Sequence, residues 1–266
     1  MIDLPIGRWV EVAVDFLREN FAAVFDGVAG VTLALIRGIY LVLALPHPVV
    51  VIAVLAGLAA LASRRVLTPL ITAFGFLLIL AMDLWQETLE SLTVVLLASV
   101  IAIGIGVPIG IAAARSDRVK MLVRPVLDFM QTLPVFVYLL PAVFFFGIGV
   151  VPGVVATTVF AIPPAVRLTE LGIRQVDREV VEAAVAFGSR PRQVLREVQL
   201  PLAMPSIMAG VNQVIMLALS MVVIAGMVGG GGLGAVVVQA VTQLDIGKGF
   251  EGGLAVVILA IYLDRV

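Results

Sequence analysis

One stretch of this chain has residue types and spacing that suit it to docking on another protein. Residues 182–201 read EAAVAFGSRPRQVLREVQLP, an island rich in charge inside a chain that is 62% hydrophobic and 13% charged. Asp177 can cap a helix over 178–187. Val181, Ala184 and Val185 fall at helical spacing in it, and Gly188 can terminate it. Ser189 can cap a second helix that carries Pro191 in its first turn. Val194, Leu195 and Val198 form its apolar face, and Leu200-Pro201 ends it. Ala183 and Ala184 are small enough for another surface to come close. Glu182 can accept hydrogen bonds or an ion pair from that surface, or can be a solvated helix charge. Arg190, Arg192 and Arg196 can contact a partner or simply mark the cytoplasmic side.

The elements that must hold this island are membrane helices. Soluble domains carry about 25% charge and about 45–50% apolar residues. This chain departs from both in the direction of a polytopic α-helical membrane protein, with continuous apolar runs and not the alternation of a membrane barrel. With no Cys and a single His, His47, disulfides, thiolate chemistry and a multi-histidine metal site are excluded. Neither a basic stripe for nucleic acid nor a signal-peptide pattern is present.

Residues 1–30 mix Trp9, Val12 and Phe16 with Arg8, Glu11 and Asp15, the pattern of an amphipathic helix lying on the membrane. Residues 31–45 carry Arg37 and end at Pro46-His47-Pro48, which predicts a second interfacial helix. Seven spans are then predicted over 49–63, 66–84, 88–114, 126–147, 152–176, 203–228 and 251–264. With the 177–201 loop in the cytoplasm, 13 of the 17 basic residues fall on that side, Arg64 and Arg65 among them. The positive-inside rule then puts the N-terminus outside and the C-terminus inside. Three segments result: interfacial helices over 1–48, two additional spans over 49–87, and a core over 88–266.

The pattern EAA, three residues, Gly, nine residues, Val-x-Leu-Pro resembles the cytoplasmic loop of ABC importer permeases. Asp128 to Tyr138 (DFMQTLPVFVY), FGIGVVPGVV at 146–155 and the run 198–234 are similar to the permeases of glycine betaine/proline (quaternary amine) importers, over roughly residues 88–266. The resemblance implies a type I importer helical bundle. It implies that Glu182, Ala183, Ala184, Gly188, Arg192, Leu200 and Pro201 couple the permease to an ATPase. It also implies two ATPase subunits that bind ATP and Mg, a second permease copy, and an extracytoplasmic substrate-binding protein. No cofactor is expected in this chain, which has no P-loop.

Within span 203–228, Asn212, Gln213, Met216 and Ser220 can line a translocation path or bond neighbouring helices. The glycines at 229–232 lack the Lys-Ser/Thr of a phosphate loop and predict a flexible outer turn or re-entrant segment. Tyr138 and Phe136 sit on a span where a quaternary ammonium could meet aromatic faces, without forming a complete cage. Asp128 and Glu170 have basic neighbours in Arg124, Arg167 and Arg174. A secondary transporter would need buried carboxylates within spans, which are scarce here. A membrane-embedded enzyme would need a catalytic constellation, and none is legible.

Overall fold

Residues 6–63 and 67–266 are described by a computed structural model. They form helices: α1 (Ile6–Asn20), α2 (Ala22–Ala44), α3 (Pro48–Ala62), α4 (Leu67–Ala81), α5 (Trp85–Arg115), α6 (Asp117–Thr132) and α7 (Val135–Phe146). Next come α8 (Val150–Arg174), α9 (Arg178–Ala186), α10 (Pro191–Gln193), a π-helical turn (Val194–Gln199), α11 (Leu200–Ala225), a 3₁₀ turn (Gly226–Val228), α12 (Gly232–Gln243) and α13 (Ile246–Arg265). Arg64 and Arg65, counted among the cytoplasmic basic residues, lie outside the described residues.

Among the described residues, five stretches are long and apolar enough to cross a membrane: 22–44, 85–115, 150–174, 191–228 and 246–265. A sixth results if the bent pair α6–α7 is one span. The seven-span expectation is corrected in three places. Residues 31–44 are part of one 23-residue helix, α2, which begins at Ala22 and so takes in the end of the segment assigned to the first amphipathic helix. The predicted span 126–147 is broken at Leu133-Pro134, where the axes bend by 97°. Pro134 has no N–H to donate and disfavours helical geometry at Leu133, whose ψ is 134°. Finally, α3 and α4 have 15 residues each. At 1.5 Å per residue each reaches about 22 Å, less than the roughly 30 Å of a hydrocarbon core.

Small residues set the packing of the long helices. An added Cβ at Gly106 of α5 would stand 2.5 Å from the Ala165 Cβ of α8, and one at Gly110 would stand 2.6 Å from the Thr169 Cβ. These two contacts fix α5 and α8 side by side and parallel. Gly172 of α8 meets Ser206 of α11, and Gly210 of α11 meets Leu168 of α8, so this pair is antiparallel. Without a hydrophobic drive inside lipid, such close approach supplies the dispersion contacts that hold helices together. The main buried cluster joins α3, α4, α5 and α11 to α13 through Ala59, Phe76, Val95, Ala218, Leu233 and Leu259. At the joint of α1 and α2, Phe25 stacks on Phe145 at 4.4 Å, and the Arg18 guanidinium lies 5.0 Å from the Phe144 ring centre. The two N-terminal helices are thus clamped to the end of α7.

Candidate coupling surface and translocation face

The charged island projects beyond α8 and α11 as a closed turn of helix. The Asp177 carboxylate accepts from the Glu179 N–H at 3.0 Å and caps α9. At the other end the Ser189 N–H donates to the Ala184 carbonyl at 3.1 Å, and the Gly188 N–H donates to the Val185 carbonyl at 2.9 Å. Those two bonds are a Schellman closure, whose penultimate residue must be left-handed. Gly188 fills that place with φ +84°. The interval from Ala184 to Gly188 in the motif is therefore the interval from the carbonyl that closes the six-residue bond to the reversing residue.

The start of the next helix differs from expectation. Arg190, not Ser189, occupies the cap position, and its N–H donates to the Gln193 side chain at 2.9 Å. Ser189 is spent in the preceding closure. Leu200-Pro201 does not end a helix either: the axis continues from 191 to 228. Pro201 cannot donate, and its ring would crowd the carbonyl four residues back. The chain widens into the π turn just before it, with the Leu200 N–H reaching the Leu195 carbonyl. Leu200 packs with Leu195 and Val176 onto Ile173, Ala203 and Ile207. Through this cluster the island rests on α8 and α11.

The outward side of the island carries Glu182, Ala183, Gly188, Arg192 and Pro201, all exposed, while Ala184 is half-buried. Glu182 borders a cavity of about 220 Å³ with Arg174, Arg178 and Gln199. Phe187 is 91% exposed, and Val180 and Val185 are exposed beside it. With Val180 and Val185 it makes an exposed apolar patch on an otherwise charged turn. Sequence reasoning missed Phe187. The one available signal was an aromatic residue between the alanines and the glycine of an otherwise polar segment.

Behind the island a charged network ties α6 to α8. Glu170 of α8 accepts from Lys120 at 2.7 Å and Arg174 at 3.2 Å, and Arg174 also reaches Asp117 at 2.7 Å. Arg167 pairs with Asp128. Lys120, not Arg124, is the partner of Glu170 from α6. Arg124 borders a separate cavity lined by Lys120, Arg167 and Glu170, and makes no ion pair among the described residues.

On α11, Gln213, Met216 and Ser220 are exposed and recur at helical spacing with Leu202 and Ala209. They make one stripe. The Ser220 hydroxyl donates to the Met216 carbonyl at 3.0 Å. Asn212 is turned away from that stripe: its amide donates to the Asp264 carboxylate of α13 at 2.8 Å, and its own oxygen is buried without a donor.

At the opposite end the glycine run is pinned, contrary to the flexible turn expected. The Gly232 N–H donates to the Glu90 carboxylate at 2.7 Å, and the Leu233 N–H donates to the Ser91 hydroxyl at 2.8 Å. Two side chains of α5 thus satisfy the free N–H groups at the start of α12, where a negative charge is favoured. An added Cβ at Gly232, with φ +61°, would stand 2.5 Å from the Ser91 Oγ. Tyr138 donates to the Met130 carbonyl across the α6–α7 bend and lies edge-on to Phe160 at 5.7 Å.

Small-residue seams, a broken span and a projecting helical turn make this an all-helical membrane bundle, and comparison with known proteins gives its class. Residues 106–265 match the family of binding-protein-dependent transport system inner membrane components, and the chain belongs to that family. It is 50% identical to the glycine betaine transport system permease protein OpuAB of Bacillus subtilis, over 99% of this chain and 93% of that protein. It is 49% identical to the glycine betaine/carnitine transport permease protein GbuB of Listeria monocytogenes, covering 98% and 94%. With the glycine betaine/proline betaine permease protein ProW of Escherichia coli it shares 48% identity, covering 98% and 74%. The fold is similar to that of the MetNI methionine ABC transporter in an inward-facing form, with TM-score 0.63 and 22% identity over 68% of this chain and 90% of that one.

Proposed function

We propose that this chain is the membrane subunit of an ATP-driven importer for glycine betaine and related quaternary-ammonium zwitterions, working by alternating access. The observation that carries the reading is the Schellman-closed island with its exposed Phe187, held on α8 and α11 by the Leu200 cluster. That geometry offers a firm surface to a partner and a rigid route from it to the spans. The engine is then a separate pair of ATPase subunits, which bind ATP and Mg. The island lies in the cytoplasm and the C-terminus inside; α5, parallel to α8, then starts outside, so an N-terminus outside has α2 lying along the outer surface without crossing. Two copies of the chain face each other across the α11 stripe of Gln213, Met216 and Ser220, and an extracytoplasmic binding protein delivers the solute. The permeases named above, for glycine betaine, carnitine and proline betaine, support the substrate class.

The test is reconstitution in proteoliposomes with ATPase and binding protein. Uptake of labelled glycine betaine should require ATP and should fall with Glu182→Lys together with ATPase co-purification. Uptake that persists without any ATPase would refute the reading.

A further inference from the structure

Opposite the coupling end, α2, the first turns of α5 and the glycine turn enclose a cavity of about 360 Å³, bordered by Arg37, Tyr40, Glu90, Thr93 and Gly230 among others. It lies between the N-terminal helix and the core, and none of the α11 stripe residues borders it. Arg37 is the feature that needs an account. It stands exposed on α2, a 23-residue apolar helix that carries no other basic residue. It makes no ion pair or hydrogen bond among the described residues.

The neighbouring groups are unequally committed. Glu90 gives one carboxylate oxygen to the Gly232 N–H. Thr93 spends its hydroxyl on the Leu89 carbonyl. The Tyr40 hydroxyl, like Arg37, is unbonded among the described residues, and Tyr40 lies three residues after Arg37 on the same helix face. The cavity thus presents a free guanidinium, a carboxylate with capacity left, and an aromatic residue. A guanidinium calls for a carboxylate in its fork geometry. A carboxylate beside an aromatic ring suits a quaternary ammonium, which has no N–H and is recognised by charge and ring face.

We infer that this cavity is a second site for a small zwitterion, its carboxylate on Arg37 and its quaternary ammonium between Glu90 and Tyr40. The solute class rests on the function proposed above; the two-poled geometry does not. Occupancy would tie α2 to α5 and to the turn that starts α12. A zwitterionic lipid headgroup shares the same two poles, and the inference commits to the free solute.

The experiment uses the assembled transporter without binding protein or ATP, in nanodiscs of phosphatidylglycerol alone, with glycine betaine titrated calorimetrically. Glycine betaine should bind, and 3,3-dimethylbutanoate, which keeps the shape and carboxylate but lacks the cation, should bind at least tenfold more weakly. Choline, lacking the carboxylate, should be weakened as much. Arg37→Gln should cost about tenfold or more, the scale of a lost charge-assisted hydrogen bond, with Arg37→Lys recovering part of it. Glu90→Gln also touches the α12 cap, so Tyr40→Leu serves as the second variant, with thermal melts confirming that each variant folds. Absence of binding in the parent protein, equal binding by Arg37→Gln, or loss of binding in phosphatidylcholine discs would overturn the inference. ATP-driven uptake is measured in parallel. Intact uptake with no such site removes this inference alone, whereas absent uptake removes the transport reading.

Discussion

Replacing Gly188 separates backbone geometry from contact. Its φ of +84° is one that L side chains rarely adopt, and an added Cβ would meet nothing within 4 Å in this chain. The whole cost of Gly188→Ala within the subunit is therefore conformational, about 1–2 kcal/mol for a left-handed non-glycine residue. That is a factor of roughly 5–30 in the population of the closed turn. Asn tolerates the left-handed region better than Ala does. Gly188→Asn should thus retain most ATPase co-purification and ATP-dependent uptake, Gly188→Ala should lose a large part, and β-branched Gly188→Val should lose most. Melting of the membrane bundle should move little in all three, because the turn projects from it. If Asn proves as harmful as Ala, the open space at position 188 is filled by the partner, and backbone strain is not the cause.

Four further outcomes are expected from the same structure. Phe187→Ala should weaken ATPase association by about 2 kcal/mol or more, as buried interface anchors do, while leaving the subunit's melting unchanged; pull-down titration and a thermal melt read the two. Gly232→Ala should lower thermal stability by at least about 1–2 kcal/mol, since it combines a left-handed φ with a clash on Ser91. Gly253→Ala, where an added Cβ meets nothing within 4 Å, is the matched control and should be neutral. Gly106→Val should split the α5–α8 seam and reduce folded yield in detergent, whereas Gly104→Ala, facing open space, should not. Asp264→Ala removes the acceptor of the solvent-exposed hydrogen bond from the Asn212 amide and should cost no more than about 0.5–1.5 kcal/mol, measured by melting, with Asp264→Asn recovering part of it.

The sequence patterns reach some of these features and miss others for physical reasons. The spans α5, α8 and α13 are legible because length and hydropathy decide them. The Asp177 cap and the Gly188 closure are legible because each rests on a local backbone requirement. The start of α2 at Ala22 is hidden because no proline or glycine marks the break at Phe21, so the pattern places the boundary about nine residues late. The break at Leu133-Pro134 has a visible proline, but apolar residues on both sides give it the composition of one span. The pairing of Lys120 with Glu170 depends on how α6 folds back beside α8, which no local pattern states. The pinned glycine run depends on Glu90 and Ser91, some 140 residues earlier in the chain. Phe187 is missed because apolar side chains are read as inward-facing, and only the fold shows that this one has nothing to face.

The widened turn before Pro201 has a mechanical consequence. Its hydrogen bonds span five residues where the helix on either side spans four. Tightening that turn by one residue shortens nothing covalent, but it advances and rotates the helix beyond it, by about 1.5 Å and 100° per residue of an α-helix. A push delivered along the axis at Pro191 can therefore emerge from α11 as a twist, in the way a screw turns thrust into rotation. The stripe of Gln213, Met216 and Ser220 lies on the helix beyond that turn, so a change in the turn's hydrogen bonding would change the direction in which the stripe faces.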